Sequence, residues 1–131
     1  MPWVYEQTTG KLYDPEGNYV ATGYAGGNCG KNPEGINNHD MQNVKSIGPL
    51  PCGLYSFGSV VLKSQLGQFA IPLIPDSANE MFGRGGFFCH GDTQELNHSA
   101  SVGCIIMPRN VRNEMYSSAD RQIQVVGVRN A

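Results

Sequence analysis

With 131 residues the chain has room for one compact domain and a modest hydrophobic core, and none for a second domain of ordinary size. Nine basic residues against eleven acidic ones leave a formal charge of -2, which excludes the basic footprint that holds a nucleic-acid backbone. Seventeen glycines, eight prolines and only 15% charged residues suit a turn-rich β domain, and 40% hydrophobic residues exclude a disordered chain.

Aromatic and β-branched residues at Trp3 to Gln7 predict a strand, Thr8-Thr9-Gly10 a turn, and Lys11-Leu12-Tyr13 a second strand. Asp14 to Asn18 reads as another turn before a strand at Tyr19-Val20-Ala21, so the chain opens as a meander. The first thirty residues include Glu6, Lys11, Asp14 and Glu16 and hold no apolar run long enough for a signal peptide or a membrane span. Action outside the cytoplasm would therefore need delivery by something other than a general export signal.

Residues 23–51 are dense in Gly, Asn and Pro and read as a long ordered loop over the sheet, with a hint of a helical turn from Met41 to Ile47. Strand-like runs resume at Leu54 to Phe57, Val60 to Leu62, Gln68 to Ile74 and Gly86 to His90. Pro108 suits the start of a helix, and Val111, Met115 and Ala119 repeat at i, i+4, i+8. Gln122 to Val128 alternates as a final strand. The expectation is one domain over residues 1–131, mostly β with one or two short helices.

The chemistry gathers in Phe87-Phe88-Cys89-His90-Gly91-Asp92 and in Ser101-Val102-Gly103-Cys104-Ile105-Ile106. A thiol attacks a carbonyl only as thiolate, so a useful cysteine needs a neighbouring base or positive charge. His90, at the end of an apolar strand run, can supply the base for Cys104. Gly103 lets backbone approach a substrate closely, and the N–H groups of Gly103 and Cys104 are candidates for an oxyanion site. Ser101 shapes the turn into Cys104 or is a plain turn serine, and Asp92 orients the imidazole or is a solvated turn aspartate.

Other readings compete. Cys104 alone would pass for a buried structural cysteine, and His98 is a rival base. A zinc site from Cys89, His90, His98 and Cys104 is disfavoured because adjacent strand residues point to opposite faces. The four cysteines allow three disulfide connectivities; with Cys104 reduced, at most one bond forms among Cys29, Cys52 and Cys89. Tyr24, Tyr55 and Trp3 line a cleft or belong to the core, as aromatics in β domains usually do.

His90-Gly91 followed by Ser101-Val102-Gly103-Cys104-Ile105 resembles the signature of the L,D-transpeptidase (YkuD-like) catalytic domain, in particular its compact branch of type VI secretion effectors against peptidoglycan. Trp3-Val4-Tyr5 with Thr9-Gly10, Gly23-Tyr24-Ala25-Gly26, Gly48-Pro49-Leu50-Pro51, Gly53, Tyr55 and Arg84-Gly85-Gly86-Phe87 resemble that branch in the same order. The sequence departs from the crosslinking enzymes in its shorter spacing from His90 to Ser101, in Val102 where they often carry His, and in Ile106 where they often carry Arg.

The resemblance implies an L,D-transpeptidase-like β-sandwich in which Cys104 and His90, aided by Ser101 and Gly103, act on peptidoglycan stem tetrapeptides without a metal or organic cofactor. Arg84, Gly91, Asp92 and Tyr24 are the implied substrate-binding residues, with Arg109 and Arg112 as further candidates for stem carboxylates. It also implies L,D-carboxypeptidase and D-amino-acid exchange activity, a monomer, a cognate immunity protein, and delivery by a secretion apparatus into the periplasm of target bacteria. Two other classes remain: a papain-like peptidoglycan amidase, which usually carries Cys before His, and a non-catalytic wall-binding module with structural cysteines.

Overall fold

The computed structural model describes residues 2–61, 69–91 and 103–129. Nine strands form one sheet: β1 (Trp3–Glu6), β2 (Lys11–Tyr13), β3 (Tyr19–Thr22), β4 (Tyr24–Ala25), β5 (Gly53–Phe57), β6 (Ile71–Pro75), β7 (Phe88–His90), β8 (Ile105–Ile106) and β9 (Gln122–Val126). Their order is β3-β2-β1-β9-β5-β6-β7-β8-β4. The two outer strands, β3 and β4, are separated in sequence only by Gly23, so the sheet curls until it nearly closes. The expected sandwich thus takes the form of one wrapped sheet around one core.

Alternation builds that core. Trp3 and Tyr5 on β1, Tyr55 on β5, Ile71 and Leu73 on β6, and Ile123 and Val125 on β9 are all buried in a single cluster. Each such side chain contributes roughly 1.5–3 kcal/mol relative to exposure. Helix α1 (Arg109–Ser117) follows Pro108 and packs on β7, with Val111 and Met115 buried one turn apart.

Five sequence expectations shift. The 23–51 loop contains β4 and two 3-10 turns, at Pro33–Gly35 and His39–Met41, the second beginning before the anticipated Met41. Two residues of strand are too short to show alternation, but Gly23 marks the place: a Cβ there would lie 1.8 Å from the Ile106 carbonyl oxygen. Val60 to Leu62 gives a single bridge, Val61 to Ala70, with Leu62 outside the described residues. The Gln68 to Ile74 run becomes a strand at Ile71–Pro75, Gln68 also lying outside the described residues. The Gly86 run begins only at Phe88, because Gly86 has φ +73, a left-handed conformation incompatible with an extended strand. Ala119 falls beyond α1 and is exposed, since Ser118 turns extended and stops the helix.

Candidate active site

β7 and β8 run parallel, with Cys89 opposite Ile105 and His90 opposite Ile106, and β4 extends the second row with Tyr24 opposite Ile106. One row, Cys89, Ile105 and Ala25, is fully buried on the core face. The other, His90, Ile106 and Tyr24, lies on the opposite face. Cys104 lies immediately before β8, is buried, and belongs with Cys89 and Ile105 to the core cluster.

A continued parallel ladder would aim the Phe88 N–H at the Gly103 carbonyl. That carbonyl instead accepts from the Leu50 N–H at 2.9 Å, and the Phe88 N–H donates to Cys104 Sγ at 3.3 Å. The break in the ladder gives the sulfur a fixed donor. Burial pushes the Cys104 thiol up to about 11, while the Phe88 and Cys104 amides and the charge of Arg84 pull the other way. Behind it, fully buried Cys89 is pushed up to about 12 by its desolvation.

His90 is 3% exposed, and its Nδ1–H donates to the Gly91 carbonyl at 2.9 Å. A carbonyl can only accept, so Nδ1 carries the hydrogen and Nε2 is the basic nitrogen of the neutral ring.

Arg84 reaches the site from the turn before β7. Its Nη1 donates to the carbonyls of Gln42 (2.5 Å) and Pro49 (2.7 Å), and its Nη2 to that of Gly48 (3.0 Å). The guanidinium also stacks over Phe87, 5.2 Å from the ring centroid. It also crowds the residue before Cys104: Gly103, at φ +143, has room for no Cβ, which would sit 2.7 Å from both Arg84 Nη2 and Phe87 Cε1.

Two clefts flank these residues. A cavity of about 290 Å³ is lined by Cys104, Arg84, Phe87, Lys45 and Ser46. A larger one of about 660 Å³ is lined by Tyr24, Gly91, Ile106, Met107, Arg109 and Arg112, among others. Cys104 and Arg84 therefore share one cleft, and Tyr24 and Gly91 the other. Arg112 is buried and bonds the carbonyls of Met107 (3.0 Å) and Phe69 (2.8 Å); Arg109 is exposed and stacks on Phe69 at 4.8 Å. Trp3 and Tyr55 belong to the core. Asp92, His98 and Ser101 lie outside the described residues.

Sequence reasoning missed a second cluster of thiol and imidazole. Gln7, fully buried, donates through Nε2 to the Leu50 carbonyl (2.8 Å) and to Gln42 Oε1 (3.2 Å). Its Oε1 lies 2.6 Å from His39 Nδ1 and accepts from Cys52 Sγ at 3.3 Å. Alternation held the signal, since Trp3, Tyr5 and Gln7 fall on one buried face. All four cysteines are free thiols, and among the described residues no three His, Cys, Asp or Glu side chains group as a metal site. Nor, among them, is any helix long and apolar enough to cross a membrane.

The nearly closed sheet thus carries a donor-supported thiol just before β8 and an imidazole at the end of the neighbouring β7. A family model for the Tlde1 domain matches residues 23–130, from the crossing at Gly23 to beyond the last strand, and the chain belongs to that family, whose type VI secretion effectors act on peptidoglycan. No curated protein and no solved structure matches the chain.

Proposed function

We propose that residues 1–131 form one catalytic domain that removes or exchanges the terminal D-amino acid of peptidoglycan stem tetrapeptides through a Cys104 thioester. The observation that supports this reading is the pairing of β7 with β8, which brings the strand that ends in His90 alongside the strand that Cys104 immediately precedes, in a chain of this family.

At neutral pH the resting sulfur is a thiol, so His90 takes the proton as sulfur attacks rather than beforehand. Cys104 Sγ bonds to the carbonyl carbon of the third stem residue, and the bond from that carbon to the D-alanine nitrogen breaks. The departing amine takes the proton that His90 received. Water then releases the tripeptide acid, or the amine of a free D-amino acid restores a tetrapeptide; either attack returns the proton to Cys104 by way of His90. Gly103 and Cys104 supply backbone N–H groups to the oxyanion, and Ser101 assists the same step.

Tyr24, Gly91 and Arg109 line the approach of the stem peptide on the larger cavity's side, and Asp92 is a further substrate-binding residue. The work is done by a monomer in the periplasm of a target cell, reached by type VI secretion, and a cognate immunity protein covers the Cys104 cleft. Mass spectrometry of a disaccharide tetrapeptide incubated with wild type and Cys104→Ser, with and without D-methionine, tests the chemistry. Tripeptide or exchanged tetrapeptide only with Cys104 intact is the expected result; turnover that survives Cys104→Ser overturns it.

A further inference from the structure

Arg84 is placed where a carboxylate receptor would not be. It is 8% exposed, and its fork is engaged by the carbonyls of Gln42, Gly48 and Pro49, which lie 35 to 42 residues away in sequence. These acceptors are neutral carbonyls, and the three bonds fix the guanidinium in place. The same group abuts Gly103, lines the small cleft with Cys104, and leans on Phe87, one residue from the Phe88 N–H that donates to the sulfur.

We propose that Arg84 is the positioning residue of the nucleophile, tying the 42–49 loop to Gly103 and holding a fixed positive charge beside the Cys104 sulfur. The inference rests on Cys104 being the attacking group, and it takes Arg84 away from direct substrate binding. A planar fork is needed for the first task because three carbonyls must be bridged at once, whereas any cation in the same place serves the second.

Other groups bear on the sulfur. His90, opposite Ile106, and Cys89, opposite Ile105, are on the neighbouring β7; Lys45 lines the same cleft; and Cys29, from the loop after β4, raises the thiol by its own charge. Arg112 faces Cys89 rather than Cys104. Asp92, Glu95 and His98 belong to the residues outside the description. Arg84 is the cation whose electrostatic pull on Cys104 is seen, which agrees with its geometry.

The test reads the thiol and not turnover, so it stands apart from the identity of the substrate. Alkylation of Cys104 by iodoacetamide, followed by peptide mapping from pH 7 to 12, follows its titration. In Arg84→Met the midpoint rises and alkylation at pH 8 slows about tenfold; in Arg84→Lys the wild-type midpoint is kept although thermal stability falls. A folded Arg84→Met whose midpoint equals that of wild type makes Arg84 a loop clamp only, and overturns the inference.

Should Arg84→Met fail to fold, the wild-type protein still decides. The ¹³Cζ resonance of Arg84 is expected to move with the titration of Cys104 and to lose that movement in Cys104→Ala. A resonance indifferent to the Cys104 titration overturns the proposal. Survival of turnover in Cys104→Ser would instead remove the nucleophile reading itself, whatever Arg84 does to the sulfur.

Discussion

Two cysteines of this protein sit beside polar partners drawn from distant segments, and the direction of their hydrogen bonds separates them. Cys52 gives its proton, donating through Sγ to Gln7 Oε1 at 3.3 Å, with His39 Nδ1 3.8 Å away and itself bonded to Gln7. Burial raises that thiol, with no opposing influence. Cys104 receives, its sulfur facing the Phe88 N–H and the charge of Arg84. Donors and positive charge favour thiolate, whereas an acceptor favours thiol. Proximity of Cys to His is therefore a poor guide to a nucleophile, and what points at the sulfur is a better one.

The largest effect that could break the contrast is on turnover. Cys104→Ala is expected to lower conversion of disaccharide tetrapeptide by about a thousandfold or more, and Cys52→Ala to leave it at the wild-type rate, both measured by mass spectrometry. Equal damage from Cys52→Ala in a folded protein would erase the distinction.

Stability sharpens it next. Gly103→Ala forces a Cβ into Arg84 and Phe87 at a left-handed φ, with an expected loss of about 2–4 kcal/mol in urea unfolding. Gln7→Ala strands the His39 and Cys52 donors and the Leu50 carbonyl, for about 1–3 kcal/mol. Cys52→Ala, which removes one weak donor, should cost about 1 kcal/mol.

The smallest effect is in alkali. The folded values of about 11 for Cys104 and about 12 for Cys89 lie above the ordinary thiol value of 9.0. Above pH 9 the unfolded chain therefore binds fewer protons than the folded one. Stability from these thiols is complete below pH 9 and is lost as pH climbs through 11 to 12. Cys89→Val should flatten that decline in thermal melts.

Much of the fold was legible in the chain. Alternation located β1, β2, β3, β5 and β9, and Gly103-Cys104 with His90 after an apolar run marked the candidate site. The rest depends on contacts that local patterns do not carry. Gln7 meets Cys52 across 45 residues and His39 across 32. Arg84 looked like a free guanidinium because its acceptors are backbone carbonyls, which are identical in every residue type. The Phe88 donor was hidden for a similar reason: it exists only because Leu50 takes the Gly103 carbonyl.

Strand β9 carries a kinetic consequence. It lies between β1, with which it runs parallel, and β5, with which it runs antiparallel, and so joins the opening meander to the half of the sheet that bears the site. The first strand synthesised thus waits for the last before it can be seated, a long-range closure that places folding among slow β topologies, in milliseconds to seconds. Any truncation that removes Gln122–Val126 leaves two half-sheets, each with an open margin available for pairing with another chain.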